Sequence, residues 1–147
     1  MLGVGALIFD EQQRVLLVKR GGEPLKGWWS LPGGVLETGE TLAEGVAREV
    51  LEETGLVVEP VQTVEIFERI MRDGEGRPEY HYVLVDYICR AISGVLAPAD
   101  DVSGAQWVSK QDLFRIHLTE GTLAVIEKAY SILLCSAPAP NYSNIPN

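Results

Sequence analysis

Cysteine is scarce in this chain of 147 residues, with only Cys89 and Cys135 present. Neither has metal-type spacing to a third ligand, so a disulfide scaffold and a cysteine-based zinc site are set aside and both are read as free thiols. Histidine is equally scarce. His81 and His117 have no acidic or serine partner at a telling spacing, which makes them structural rather than catalytic residues. Positive charge is short as well: 12 Lys and Arg stand against 21 Asp and Glu, and the net charge of −9 argues against a general nucleic-acid or anionic-membrane surface. No apolar run approaches the ~20 residues that a membrane-spanning helix needs. The opening MLGVGALIF has no basic leader and runs straight into Asp10-Glu11, so it is read as a strand and not as a signal peptide. Internal repeats are lacking. What remains is one domain, expected over residues 1–135 in a reducing cytoplasm, with a Pro- and Asn-rich tail over 136–147 expected to be mobile.

The stretch that is present in force is GVLETGETLAEGVAREVLEETGL, from Gly34 to Leu56. Thr41 with Glu44 three residues on reads as a capping box, and Gly55 sits where a left-handed cap belongs, so a helix is predicted from Leu42 to Thr54. Leu42, Val46 and Val50, with Ala43, Ala47 and Leu51 beside them, give it an apolar face. Glu49, Glu52 and Glu53 fall at i, i+3 and i+4 and gather near its C-terminal turn. Each like-charge pair costs roughly 0.2–0.5 kcal/mol. Anions at the negative end of the helix dipole cost roughly 0.3–1 kcal/mol more. Arg48 offsets part of this. A solvated acidic face is the ordinary meaning of such a run, but a local rule broken without compensation points to function. Clustered carboxylates suit a hard divalent cation, here read as Mg2+ with Mn2+ as a possible substitute.

The full spacing decides between the two: Gly34, five residues, Glu40, seven residues, Arg48-Glu49-Val50, one residue, Glu52-Glu53, one residue, Gly55-Leu56. It resembles the signature of the Nudix hydrolase family at every fixed position. Seven specified residues at about 7% background each recur by chance on the order of 1 in 10⁸ start positions, so coincidence is not a competitor. The resemblance implies an α/β/α sandwich with a mixed β-sheet between helices, and metal-dependent hydrolysis of a pyrophosphate linkage. It also implies roles: Glu49, Glu52 and Glu53 as metal ligands joined by the Gly34 backbone, Arg48 as the group that orients them, Glu40 as an outer contributor, and Glu52, Glu53 and Arg48 as the catalytic set. Trp29 stands where the family often carries an aromatic, and Trp28 is read as packing.

Around this core, Val4–Phe9 and Val15–Arg20 read as a hairpin or adjacent strands. Arg20, at the end of the second, is a candidate phosphate contact. Val57–Met71 and EYHYVLVDYICRA read as an antiparallel hairpin across RDGEGRP, with Tyr82, Leu84 and Ile88 on one face and Val83, Val85 and Cys89 on the other. Glu79, near the hairpin tip, is a second substrate candidate. Asp100 and Asp101, in the loop before a short strand over Ala105–Val108, are the acidic pair that a loop can swing toward the metals. Leu123, Ile126, Tyr130 and Leu133 suit a second amphipathic helix starting near Glu120. From Phe67 through HYVLVDYICR to ADD and Trp107, the chain is similar to the small bacterial ADP-ribose pyrophosphatase group. That similarity implies a small-molecule nucleotide substrate, ADP-ribose cleaved to AMP and ribose 5-phosphate, and leaves room for a homodimer. Two other readings stay open: a pyrophosphohydrolase that sanitises the nucleoside triphosphate pool, and a domain that senses a nucleotide without cleaving it.

Overall fold

In the computed structural model, which describes residues 1–135, the apolar runs become two sheets that meet between two helices. The first sheet has the order β4-β1-β6-β5, built from β1 (Leu2–Ile8), β4 (Gly33–Val35), β5 (Leu56–Arg72) and β6 (Pro78–Gly94). It is mixed: β1 runs parallel to β6 and antiparallel to β4, and β5 pairs antiparallel with β6. The second sheet has the order β3-β2-β7, from β2 (Val15–Arg20), β3 (Trp29–Ser30) and β7 (Val102–Val108). A 3₁₀ turn over Lys110–Arg115 leads to α2 (Thr122–Cys135), and α1 spans Leu42–Thr54. The fold is thus an α/β sandwich with a mixed sheet. The expected tail, 136–147, lies outside the described residues.

Each sheet sends alternate side chains to opposite faces, which makes two cores. Val4, Ala6 and Ile8 of β1 pack with Val46 and Val50 of α1, while Leu7 packs with Ile126, Ala129 and Tyr130 of α2. Both faces of β1 are therefore buried, as its near-continuous aliphatic sequence requires. Strands β1 and β2 touch through one isolated bridge, Phe9 to Val15, and belong to different sheets. Adjacency in sequence did not make them a hairpin. The β5–β6 hairpin forms as expected. Its outer strand tolerates Pro60 because β5 lies at the sheet edge, and a register shift follows that residue.

Helix α1 begins and ends where its caps dictate. The Thr41 hydroxyl accepts from the Glu44 amide, the Glu44 carboxylate accepts from the Thr41 amide, and Gly55 closes the helix at φ 76°. Val46 and Val50 are fully buried, each side chain contributing roughly 1.5–3 kcal/mol. The buried stripe is rotated from the expected one. Ala43 and Leu51 face solvent, while Glu53 and Thr54 go inward. Thr54 is accommodated because its hydroxyl donates to the Val50 carbonyl at 2.6 Å. Glu53 has a different solution.

Candidate active site

The rotation of α1 grades its three glutamates by depth. The side chain of Glu52 is 44% exposed and that of Glu49 12%, while Glu53 as a residue retains 7%. Glu53 ends against β4, where its Oε2 accepts the Gly33 amide at 2.9 Å. Gly34 lies opposite Val4 in the β1–β4 ladder. On either side of it the bonds run from Ala6 N–H to the Pro32 carbonyl and from Leu36 N–H to the Leu2 carbonyl. The alternation of an antiparallel ladder makes Gly34 a bonded member that faces β1 and leaves the Gly33 polar groups facing outward. Gly33, not Gly34, is the glycine whose backbone meets the carboxylates. Gly34 provides room instead, since a Cβ built on it would stand 2.6 Å from the Glu49 carboxyl.

Arg48 gathers the outer carboxylates. Its guanidinium donates to both oxygens of Glu40 at 2.6 and 3.0 Å, to Glu49 at 2.9 Å, to Glu52 at 3.1 Å and to the Val35 carbonyl at 3.1 Å. The paired hydrogen bonds from Arg48, with the Glu37 amide adding to them, hold the Glu40 carboxyl down at about 2. Glu40 in turn fixes the arginine, so it is a stronger contributor to the arrangement than an outer position suggests.

On the inner side Arg48 offsets Glu49 only in part, and among the described residues no cation pairs with Glu53. Burial raises Glu49 above the ordinary carboxylate range against the pull of Arg48, with Glu52 and Asp100 adding to the rise. Burial pushes Glu53 up to about 8, opposed by the Gly33 amide and reinforced by the charges of Glu49, Asp100 and Asp101. The loop carrying the two aspartates is stitched down by its backbone. Ala97 N–H donates to the Thr54 carbonyl at 2.8 Å, Ala99 N–H to the Glu53 carbonyl at 3.0 Å, and Gly21 N–H to the Asp101 carbonyl at 2.8 Å. Asp100 adopts φ 58°, a left-handed conformation that aspartate tolerates better than most residues. The loop thus delivers Asp100 to the glutamates, and the bond to Gly21 sets it beside Arg20.

Arg20 closes β2 opposite Val102 and turns its Nε to the Pro24 carbonyl at 2.9 Å. Glu79 is exposed near the hairpin tip and is not brought to the cluster. His117 stacks on Trp28, with ring centroids 4.6 Å apart and planes 6° from parallel. His81 lies 3.2 Å from Glu68 on the hairpin, so both histidines are occupied away from the carboxylates.

The donors suit a hard cation in kind: carboxylate oxygens from Glu49, Glu53, Glu52 and Asp100, with backbone oxygen nearby at Gly33. Among the described residues no three acidic side chains already converge in coordinating geometry. Arg48 holds Glu49 and Glu52, and Glu53 is turned onto an amide. A cation would require these carboxylates to turn from Arg48 and the Gly33 amide toward one another. Sequence reasoning missed the Gly33 amide, because a backbone contact leaves no side-chain pattern. It also missed Asp86 on β6, which appears as one acidic letter in an alternating buried strand.

The profile of the NUDIX domain matches residues 1–128. An ADP-ribose pyrophosphatase of Methanocaldococcus jannaschii is 35% identical over 106 residues, covering 72% of this chain. The chain spans 60% of that relative's length. Among solved structures, the NUDIX domain of Shewanella oneidensis NrtR complexed with ADP ribose superposes with a TM-score of 0.73 at 29% identity, covering 90% of this chain and 88% of the other. An ADP-ribose pyrophosphatase of Streptococcus suis superposes with a TM-score of 0.66 at 30% identity, over 88% of this chain and 90% of its own. With an unbroken glutamate signature, held by a capped helix against a glycine strand in a mixed-sheet sandwich, this chain belongs to the Nudix family.

Proposed function

We propose that this protein is a metal-dependent pyrophosphohydrolase that cleaves ADP-ribose to AMP and ribose 5-phosphate. The observation that carries the reading is the inner cluster of Glu49, Glu53 and Asp100, where Arg48 reaches Glu49 but no cation among the described residues pairs with Glu53. Mg2+, with Mn2+ as substitute, would be held by Glu49, Glu52, Glu53 and the β4 backbone, and when bound it neutralises the diphosphate and lowers the pKa of water. The chain's own residues do the rest. Arg48 keeps the glutamates in register through its hydrogen bonds to Glu40, Glu49 and Glu52. Water attacks one phosphorus, the bridging P–O bond breaks, the leaving phosphate takes the bond's electrons, and the proton lost by the water passes to a carboxylate of the cluster. Arg20, beside the Asp101 loop, is placed to meet a phosphate oxygen once it releases Pro24.

The names of two relatives and the ligand of a third support ADP-ribose as the substrate. No helix is long and apolar enough to cross a membrane among the described residues, which is compatible with the proposed cytoplasmic location. The homodimer stays a proposal of the same reading. The test is a product assay over a panel of nucleotides with magnesium. AMP and ribose 5-phosphate from ADP-ribose are the expected products. Pyrophosphate released faster from a nucleoside triphosphate, with ADP-ribose inert, would overturn the substrate and move the chain to pool sanitation.

A further inference from the structure

Across the sheet from α1, the β6 face that looks toward α2 carries a group the hydrolytic cluster does not use. Asp86 stands between Leu84 and Ile88 on that face and is 8% exposed. It has no hydrogen-bond or ion-pair partner among the described residues. A buried carboxyl normally needs donors, and leaving it without them is unfavourable whether it is ionised or not. A cation reaches its cross-strand neighbour instead. Lys128 donates to Glu65 at 2.9 Å, and Glu65, the cross-strand partner of Asp86, adds negative charge. Burial, with Glu65 contributing, raises the Asp86 carboxyl to about 6. Yet no polar side-chain atom among the described residues is fully sealed without a partner, so the Asp86 oxygens keep some contact with solvent.

Gly5 lies beside Asp86 in the parallel β1–β6 ladder, and a Cβ built on it would stand 2.2 Å from Asp86 Oδ1. Glycine at this place leaves the sheet surface flat around the carboxyl. The aromatic ring of Phe67 sits opposite Leu84 in the β5–β6 ladder and packs near Gly121, ahead of α2. It offers a flat apolar surface on the same side of the sheet. One lateral row of the sheet runs Gly33, Gly5, Asp86, and Gly33 is the residue whose amide meets Glu53. Asp86 therefore stands two strand spacings, roughly 10 Å, from the edge where the acidic cluster lies. That is comparable with the reach from a nucleotide's phosphate to the far edge of its base.

We infer that Asp86 is the specificity-determining residue for the nucleobase, accepting a hydrogen bond from the exocyclic amino group of an adenine-class base. The inference rests on the nucleotide reading above. The ionised carboxylate matches that base, because it accepts from the amino group. A hypoxanthine base presents a carbonyl oxygen in place of the amino group and meets the carboxylate acceptor to acceptor. Sites that bury a polar group for one substrate reject the analogue that leaves it unpaired.

The test compares ADP-ribose with its hypoxanthine analogue, in wild type, Asp86→Asn and Asp86→Ala. Wild type is expected to favour ADP-ribose by about tenfold or more in kcat/KM, carried by KM. Asp86→Asn, nearly the same shape, keeps an acceptor for the adenine amino group and gains an N–H donor that can meet the hypoxanthine oxygen, so it is expected to narrow the preference by improving KM for the hypoxanthine substrate. Asp86→Ala should abolish the preference without reversing it. A base preference identical in all three proteins overturns the inference. So does an Asp86→Asn protein that loses kcat and KM equally on both bases and melts far below wild type, because Asp86 is then a scaffold residue, for instance a partner that Lys128 reaches. If ADP-ribose is inert and triphosphates are cleaved, the functional reading fails by itself, and the same comparison with ATP and ITP decides the role of Asp86.

Discussion

Glu40 accepts two hydrogen bonds from the Arg48 guanidinium, at 2.6 and 3.0 Å, whereas Glu53 accepts one, from the Gly33 amide at 2.9 Å. The first carboxyl is held at about 2 and the second is pushed up to about 8. Both belong to one acidic surface. The difference shows where the protein has used its own positive charge and where it has left a deficit. A single arginine reaches Glu40, Glu49 and Glu52, with Glu37 farther off at 3.9 Å. Among the described residues nothing comparable reaches Glu53, and the loop with Asp100 and Asp101 deepens the deficit rather than filling it. Outer carboxylates position; inner carboxylates are left for a cation.

The comparison is broken most severely at its inner pole. Glu53→Gln removes a charged ligand while keeping an acceptor for the Gly33 amide, and is expected to lower kcat by about 10³-fold or more, of the order seen when a preorganised electrostatic contact is lost. Steady-state kinetics with saturating magnesium measures it, and a loss below tenfold would place the cation elsewhere.

Metal-free stability provides the next largest effect. The folded protein raises Glu53 from its ordinary value near 4.5 to about 8, so between those values the native state holds a proton that the unfolded chain has released. Stability from this group is complete below about pH 4.5 and lost as pH rises toward 8. In chelator, Glu53→Gln should therefore melt with wild type near pH 4.5 and be more stable at pH 8 by on the order of 4 kcal/mol. Parallel melting curves for the two proteins across this range would contradict the assignment.

Arg48 separates the two poles, and Arg48→Ala should collapse the difference. Glu40, Glu49 and Glu52 lose their common partner, and activity should fall by roughly 10–100-fold, the usual cost of losing a group that orients metal ligands. Arg48→Lys should recover only part, because a point charge does not reproduce the paired donors on Glu40. A lysine variant with full activity would show that charge alone suffices. The smallest effect is expected at the outer edge of the helix. Glu52 is 44% exposed with Arg48 at 3.1 Å, so Glu52→Gln should change metal-free stability by less than about 1 kcal/mol, as denaturant titration would show.

The sequence makes helix α1 legible to the residue, because capping box, apolar repeat and terminal glycine all act within one segment. It makes the long hairpin legible for the same reason: alternation and a turn signal are local. The pairing of strands is not local. That β1 would lie parallel to β6 and leave β2 for a second sheet depends on which faces bury best, and no short window records that. The spacing of Glu49, Glu52 and Glu53 treats them as near equivalents, while a modest rotation of the buried stripe, with Leu51 outward and Glu53 inward, makes them three different groups. Gly34 was legible as a necessary glycine, but the alternation of ladder hydrogen bonds that hands the backbone role to Gly33 belongs to the strand pair. Asp86 shows the same gap, since nothing in HYVLVDYICR reveals that its carboxyl has no partner among the described residues.

The account turns on a cation held by the inner carboxylates, and binding tests this without any turnover. Mn2+ titrated into metal-free protein and followed by the loss of its free paramagnetic signal should bind wild type at least tenfold more tightly than Glu53→Gln. Equal affinity in the two proteins would contradict the claim that Glu53 is left unbalanced in order to hold the metal.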